Sequence, residues 1–266
     1  MPYAKIMVFK QFVSTMIRHL PILLLATSLP SVAITNIESE RLNNVQEGTK
    51  GSISLSLDGR LGDSDKLALG TAVKLIRSYR RDELIALISR DYAEVDDEVN
   101  TDESLVHLRY LTKHTRNWGH EVFTQYEEDN FSDLKKRWLL GAGMRYTLTP
   151  NPEQQHANHL GFGLFHEEET YADTIIDPNQ KNVRLNLYWA YRNQIAENIL
   201  YTSTLYFQPE FKNLSDEKGL WQNTLSISVT STISLSLTWD VEHDTDTPDG
   251  ANDTETSYNS VLIYNF

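Results

Sequence analysis

The chain has eight histidines, at positions 19, 107, 114, 120, 156, 159, 166 and 243, and no cysteine. Acyl-transfer chemistry at a membrane surface would set a serine two residues from a histidine on one strand, so that the imidazole can take the hydroxyl proton. No histidine here has a serine at that spacing. The segment HLGFGLFHEEE holds His159, His166 and three glutamates, but His159 and His166 lie seven apart and face opposite sides of an extended strand, where they cannot converge on a metal. LGFG within it is no phosphate loop, because no helix follows. The rim segment EHDTD (242–246) could imitate an Asp/His cluster, and DTDTPDGANDTE has calcium-loop density of oxygens. Its spacing departs from an EF-hand after the third ligand and no helices flank it, so both read as hydrated acidic loop. Without cysteine there are no disulfides and no thiolate nucleophiles or ligands. The sequence therefore points to no catalytic residue, no metal and no cofactor, and away from an enzyme.

The remaining polar side chains that could do chemistry occupy alternate positions within apolar stretches. They are Arg60, Lys74, Arg109, Lys113, Glu121, Gln125, Arg137, Arg145, Glu167, Arg184, Arg192, Gln208, Asp240 and Glu242. Mixed charges on one face of a closed sheet make a field that orients small polar or ionic solutes in a channel. The same charges, paired with one another, would plug and brace the structure. Arg145 and Arg192 fall low on that face and the acids fall high. Arg109 and Arg137 come from the fourth and sixth stretches.

The elements that carry them have a single rhythm. Twelve stretches of alternating residues can be counted, at 51–61, 67–80, 84–95, 104–115, 120–129, 134–148, 158–169, 182–193, 198–210, 219–229, 232–243 and 256–266, separated by clusters of Asp, Asn, Gly, Pro and Ser. In RWLLGAGMRYTL, Trp138, Leu140, Ala142, Met144, Tyr146 and Leu148 share one face, with Arg137, Gly141, Gly143 and Arg145 on the other. VRLNLYWAYR and TISLSLTWDVE alternate in the same way. Period two means strands with one apolar and one polar face. Only 84–95 is ambiguous, since Arg90 and Asp91 spoil both faces.

A soluble sandwich or lipocalin-like barrel would turn the apolar face inward. The aromatic positions favour the opposite polarity. If the amino terminus is periplasmic, Tyr126, Trp138, Phe207, Trp221, Trp239 and Tyr258 fall at the outer strand ends. Tyr146, Trp189, Tyr191, Tyr201, Tyr264 and Phe266 fall at the inner ends, and aliphatic residues lie between. Two aromatic belts around an aliphatic band suit a bilayer with two polar interfaces. Connections also alternate. RRD, NWG, IAEN and TST are tight, whereas DDEVNTDE, ETYADTIIDPNQ, NLSDEKG and DTDTPDGANDTET are long and acidic. Short inner turns with longer outer loops are the rule for outer-membrane barrels. In lipid every backbone group needs a partner, so the sheet must close.

Bulk properties agree. The formal net charge is −13, from 24 basic and 37 acidic residues, which argues against nucleic acid. Mean hydropathy is −0.43, and no apolar run reaches the roughly 18 residues a membrane-spanning helix needs. Residues 1–33 carry Lys5, Lys10 and Arg18 with no acid, then LPILLLATSL and small residues at Ser31 and Ala33, the pattern of a cleavable helical signal peptide. The expected organisation is a signal peptide over 1–33, a short periplasmic segment over 34–48 and a barrel of about 12 strands over 49–266.

The segments GSISLSLDGRLGDSDK, HLRYLTKH, VFTQYEEDNFSDLKKRWLLGAGMRY, LGFGLFHEEE, YFQPEFKNLSD and the closing SLTWDVEHDTDTPDG…TETSYNSVLIYNF resemble the family of salt-induced outer-membrane proteins, a domain of unknown function of Gram-negative bacteria. The resemblance covers roughly residues 50–266, and its most specific block is Gln125, Phe131, Leu134, Arg137, Gly141, Gly143, Arg145 and Tyr146. Gly59-Arg60 and Gly62-Asp63 stand where the family usually has Gly-Asn. The resemblance implies an outer-membrane barrel tied to salt or osmotic stress and carries over no catalytic residues. The expected partners are outer-membrane lipid, lipopolysaccharide and, during biogenesis, the barrel-assembly machinery. Tyr264 and the terminal Phe266 resemble the C-terminal signal that this machinery reads. The expected role is a narrow channel, with a closed structural barrel as the alternative and an outer-membrane hydrolase as a third.

Overall fold

The computed structural model describes residues 36, 47–60, 66–96, 98–130, 134–149, 155–172, 178–247 and 252–266, with the side chains of 59 and 60 left out. The expected signal peptide lies outside the described residues, and of the segment 34–48 only Asn36, Glu47 and Gly48 are described.

The alternating stretches form strands β1 (Gly48–Arg60), β2 (Lys66–Tyr79), β3 (Asp82–Val95), β4 (Glu98–Lys113), β5 (Trp118–Asp129), β6 (Leu134–Thr147), β7 (His156–Tyr171), β8 (Gln180–Ala196), β9 (Ile199–Pro209), β10 (Glu217–Ser228), β11 (Ile233–Asp244) and β12 (Thr254–Asn265). Each pairs antiparallel with its sequence neighbours, and β12 returns to β1, closing a barrel. Both the start of β1 and Phe266 lie at the end that carries the β2–β3, β4–β5, β6–β7, β8–β9 and β10–β11 turns. We call this the turn end and the opposite one the loop end.

Burial follows the period of two, with inverted polarity. On β4, His107 and Arg109 are buried while Val106, Leu108 and Tyr110 are exposed. On β6, Arg137 and Arg145 are buried while Trp138, Leu140 and Met144 are exposed. A soluble protein hides its large apolar side chains from water, and a continuous apolar outer face is the mark of a surface made for another apolar phase. The ambiguous β3 fits the scheme: Glu83 and Ile85 face inward, and Arg90 faces outward to an ion pair with Asp102 at 2.7 Å.

Outward aromatics group at both ends. At the turn end Trp118 packs on Tyr146 (ring centroids 4.6 Å apart) and Tyr264 stacks on Phe266 (6.2 Å). Trp189, Tyr191 and Tyr201 form a chain there, with spacings of 6.0 and 6.3 Å. Towards the loop end Trp221 meets Trp239 at 5.1 Å, Tyr258 stands opposite Trp239, and Tyr126 stands opposite Trp138. Phe207 stands opposite Leu187 on the same outer surface.

Two details differ from the sequence reading. The segment DDEVNTDE is not a long loop. β3 and β4 run on to Val95 and Glu98, which are ladder partners of each other. Asp96 adopts φ 54, the left-handed backbone that short hairpins need and that aspartate tolerates, and Arg80 does the same at φ 52 in the β2–β3 turn. The second detail is the closure. β1 and β12 pair only over 52–55 against 265–262, and Gly51 and Phe266 add two backbone bonds of 2.9 and 3.0 Å. Towards the loop end, among the described residues, 56–60 of β1 and 254–261 of β12 have no ladder partner across this seam, although their other edges remain paired to β2 and β11.

Candidate functional site: the barrel interior

The inner wall divides into two unlike halves. From β4 to β9 it carries large side chains. Phe123, Leu139 and Phe165 form a buried cluster inside the barrel, and Tyr188, Ala190, Tyr206 and Leu220 form another. Apolar groups floor this side and leave the charged groups little water, so the charges bind one another.

The centre of that network is Glu167 on β7. One carboxylate oxygen accepts from Arg137 Nε at 2.7 Å and the other from Arg184 Nε at 2.6 Å. Arg137 also reaches Glu127 and Glu169, both at 3.5 Å, and Arg184 reaches Asp216 at 2.8 Å. Lys218 joins from β10, 2.6 Å from Glu169, 3.8 Å from Glu167 and 3.4 Å from Asp244. Nearer the turn end Arg109 pairs with Glu121 at 3.4 Å. Tyr188 donates its hydroxyl to the same Glu121 at 2.9 Å and accepts from Arg145 at 3.2 Å. Gln125 bonds His107 at 2.7 Å and donates to Glu127 at 2.6 Å, and Gln208 donates to Asn186 at 3.0 Å. The signs nearly balance, and no member is left as an isolated buried ion.

The arc from β11 through β12 and β1 to β3 carries a stripe of small inner residues, Ser52, Ser54 and Ser56 on β1, Ala68, Gly70 and Ala72 on β2, Ser89 on β3, Ser234, Ser236 and Thr238 on β11, Ser257 and Asn259 on β12, while nearer the turn end the same arc is filled by Ile76, Ile85 and Leu87. Several of these remain open to solvent, Ser257 and Asn259 most of all. Against the large-residue wall itself lies a pocket of about 330 Å³, part of it open to solvent, walled by His107, Arg109, Gln125, Arg137, Asn186 and Gln208 with Phe123, Leu139, Phe165 and Tyr206. Among the described residues His107 Nε2 and Arg184 Nη2 are buried with no hydrogen-bond partner.

Of the polar positions singled out from sequence, Arg109, Glu121, Gln125, Arg137, Arg145, Glu167, Arg184 and Gln208 are buried on the inner face, where these hydrogen bonds and ion pairs join them. Lys74, Arg192, Asp240 and Glu242 are half-buried on other parts of that face, and Lys113 is exposed at the turn end. Arg60 closes β1, and its side chain lies outside the described part. Lys218, Glu127, Glu169, Asp216, Asp244 and His107 are missing from the sequence-derived set. All but Asp216 share the strand parity of the others, which is the signal that would have found them. Asn36 donates to Gln222 Oε1 at 2.7 Å, on the inner face of β10, so this residue of the amino-terminal segment sits inside the barrel.

Residues 53–266 match the family described as protein of unknown function, DUF481. The chain belongs to this family. No curated protein matches it. Among solved structures, the translocator domain of the autotransporter NalP from Neisseria meningitidis is similar at 7% identity, covering 86% of this chain and 91% of that one with a TM-score of 0.49. The KdgM porin is similar at 12% identity, covering 82% of this chain and 99% of that one with a TM-score of 0.47. An outer membrane channel from Pseudomonas putida F1 shows 10% identity, coverage of 84% and 97% and a TM-score of 0.48. At these identities the likeness bears on no residue and on no substrate, so the role of this DUF481 chain has to be argued from its own side chains.

Proposed function

We propose that this chain is an outer-membrane barrel with a narrow hydrated passage for small polar or ionic solutes along the small-residue side of its interior. The observation that carries the reading is the division of the inner wall. One side is filled by large side chains whose charges satisfy one another, and the other side carries a stripe of hydroxyl and small side chains, of which Ser257 and Asn259 are open to solvent. An apolar exterior with aromatic groups near both ends supports placement in a bilayer. The turn end, with both ends of the barrel sequence, is the periplasmic side, and the acidic loop end is external, facing lipopolysaccharide. Export would follow cleavage of the signal peptide over 1–33, and Phe266 with Tyr264 would present the assembly signal. The link to salt stress rests on the family resemblance, and a deletion strain that grows normally in high salt would count against it.

Purified protein in planar bilayers tests the passage. Discrete conductance steps that scale with salt concentration are expected, and a quiet bilayer with folded, heat-modifiable protein would instead support the second reading. In that reading the barrel is structural and the network around Glu167 plugs it, which the near balance of buried charge favours.

A further inference from the structure

The seam between β1 and β12 is closed at the turn end and open towards the loop end. It is joined from Gly51 and Phe266 as far as Leu55 and Leu262. Beyond that point neither edge has a ladder partner among the described residues, while β1 stays paired to β2 as far as Arg60 and β12 to β11 as far as Thr254. The strands are intact, and only their mutual contact is missing. The gap starts at the level of Leu262 and runs past Tyr258, which stands opposite Trp239 in the loop-end aromatic group. It therefore lies within the apolar band and not above it. Hydrocarbon alone does not tolerate an unpaired backbone edge, so water from the lumen or the polar head of a lipid has to reach these strands.

Side chains on the two lips indicate which of the two. Leu57 and Tyr258 face outward, one on each lip, at 72% and 73% exposure, the highest among the exposed large apolar residues of the described chain. Directly behind them Ser56, Ser257 and Asn259 face the lumen. The mouth is apolar and its interior is lined with hydroxyl and amide groups. We propose that this seam is a lateral opening between the barrel interior and the outer half of the bilayer, holding a membrane amphiphile with its acyl chain between Leu57 and Tyr258 and its polar head among Ser56, Ser257 and Asn259. A wedge closed at Leu55 and Leu262 suits an acyl chain better than an added polypeptide strand. Paired strands lie roughly 4.8 Å apart, so an inserted strand needs a slot of twice that width along its whole length. It would also have to run parallel to one lip, because β1 and β12 are antiparallel to each other.

The inference rests on the membrane reading, and one experiment separates the two. Because the chain lacks cysteine, single thiols can be placed without side reactions. Tyr258→Cys, Asn259→Cys and Thr238→Cys variants are labelled with a small fluorophore and reconstituted in vesicles of phosphatidylcholine with brominated acyl chains. Thr238 is the ladder partner of Asn259 on β11 and faces the same lumen. Loss of fluorescence is expected at 258, a smaller but clear loss at 259, and less at 238, its ladder neighbour farther from the seam. Loss at 258 with none at 259 overturns the opening and leaves the membrane reading standing. No loss at 258 overturns both.

Disulfide formation gives an independent measure. Gly51 and Phe266 exchange both backbone bonds, so 54 and 263 form a non-hydrogen-bonded pair, close enough for a disulfide. Continuing the register would place 58 opposite 259. Ser54→Cys/Ile263→Cys should cross-link under mild oxidation and Asp58→Cys/Asn259→Cys should stay reduced. Equal cross-linking of the two pairs overturns the proposal.

Discussion

Phe266 lies over Gly51. Their backbones exchange two hydrogen bonds, and a Cβ on Gly51 would overlap the Phe266 ring. The glycine is there because the last aromatic ring of the chain occupies the place of its side chain. Since the seam is joined over so few residues, this contact carries a large share of the closure. Gly51→Val is expected to lower the fraction of barrel that resists unfolding in detergent at room temperature, read as heat-modifiable gel mobility. Deleting Phe266 should do the same and should reduce membrane levels more than secretion. Unchanged mobility in Gly51→Val would show that the ring moves away without cost.

Glu167 bridges Arg137 and Arg184 with Lys218 close by, and removing its charge leaves three buried cations short of a partner. Breaking one buried ion pair costs about 3–5 kcal/mol. Glu167→Gln is therefore expected to lower the denaturant midpoint of the folded barrel strongly. Glu167→Gln combined with Arg137→Met should recover part of the loss, because balance is restored. A double-mutant cycle with no coupling between the two positions would refute the network.

Gly161 sits under the ring of Tyr188, which a Cβ at this position would overlap. Tyr188 in turn holds Glu121 and Arg145. Gly161→Ala is expected to cost about 1–3 kcal/mol as an overpacking change, and to do so only while the ring is present. In a Tyr188→Ala background the same substitution should cost almost nothing. Equal costs in both backgrounds would show that the ring has no part in the effect.

If solutes run along the small-residue wall, a bulky side chain there blocks them. Ala72→Trp places an indole between Ser54 and Ser89, far from the charged half. Single-channel conductance should drop sharply while heat-modifiable folding persists. Unaltered conductance in folded protein would move the path elsewhere.

The strands, their inward and outward faces and most of the buried charges could be read from sequence, because a residue's side of a strand is a local property with period two. Strand β3 obeyed that rule once Arg90 found Asp102 across the outer ladder. Lys218 stands one residue before the stretch assigned to its strand, and strand ends are where local patterns fade. Phe123, Leu139 and Phe165 carried no sign of pointing inward beyond parity, since an apolar side chain suits both faces of such a wall. What stayed hidden was the meeting of Glu167 with Lys218 and the early parting of β1 from β12. Both depend on the stagger of the whole cylinder, which no segment encodes alone.

The split interior has a mechanical side. One arc of the cylinder is cross-braced by side chains that tie β4, β5, β6, β7, β8 and β10 together, and the opposite arc is held by backbone ladders with one ladder half missing. A ring braced on one side ovalises by bending on the other. Thermal breathing should then gather in β12 and β1, where amide hydrogens would exchange first, while the braced arc keeps its shape as the fixed frame against which that motion takes place.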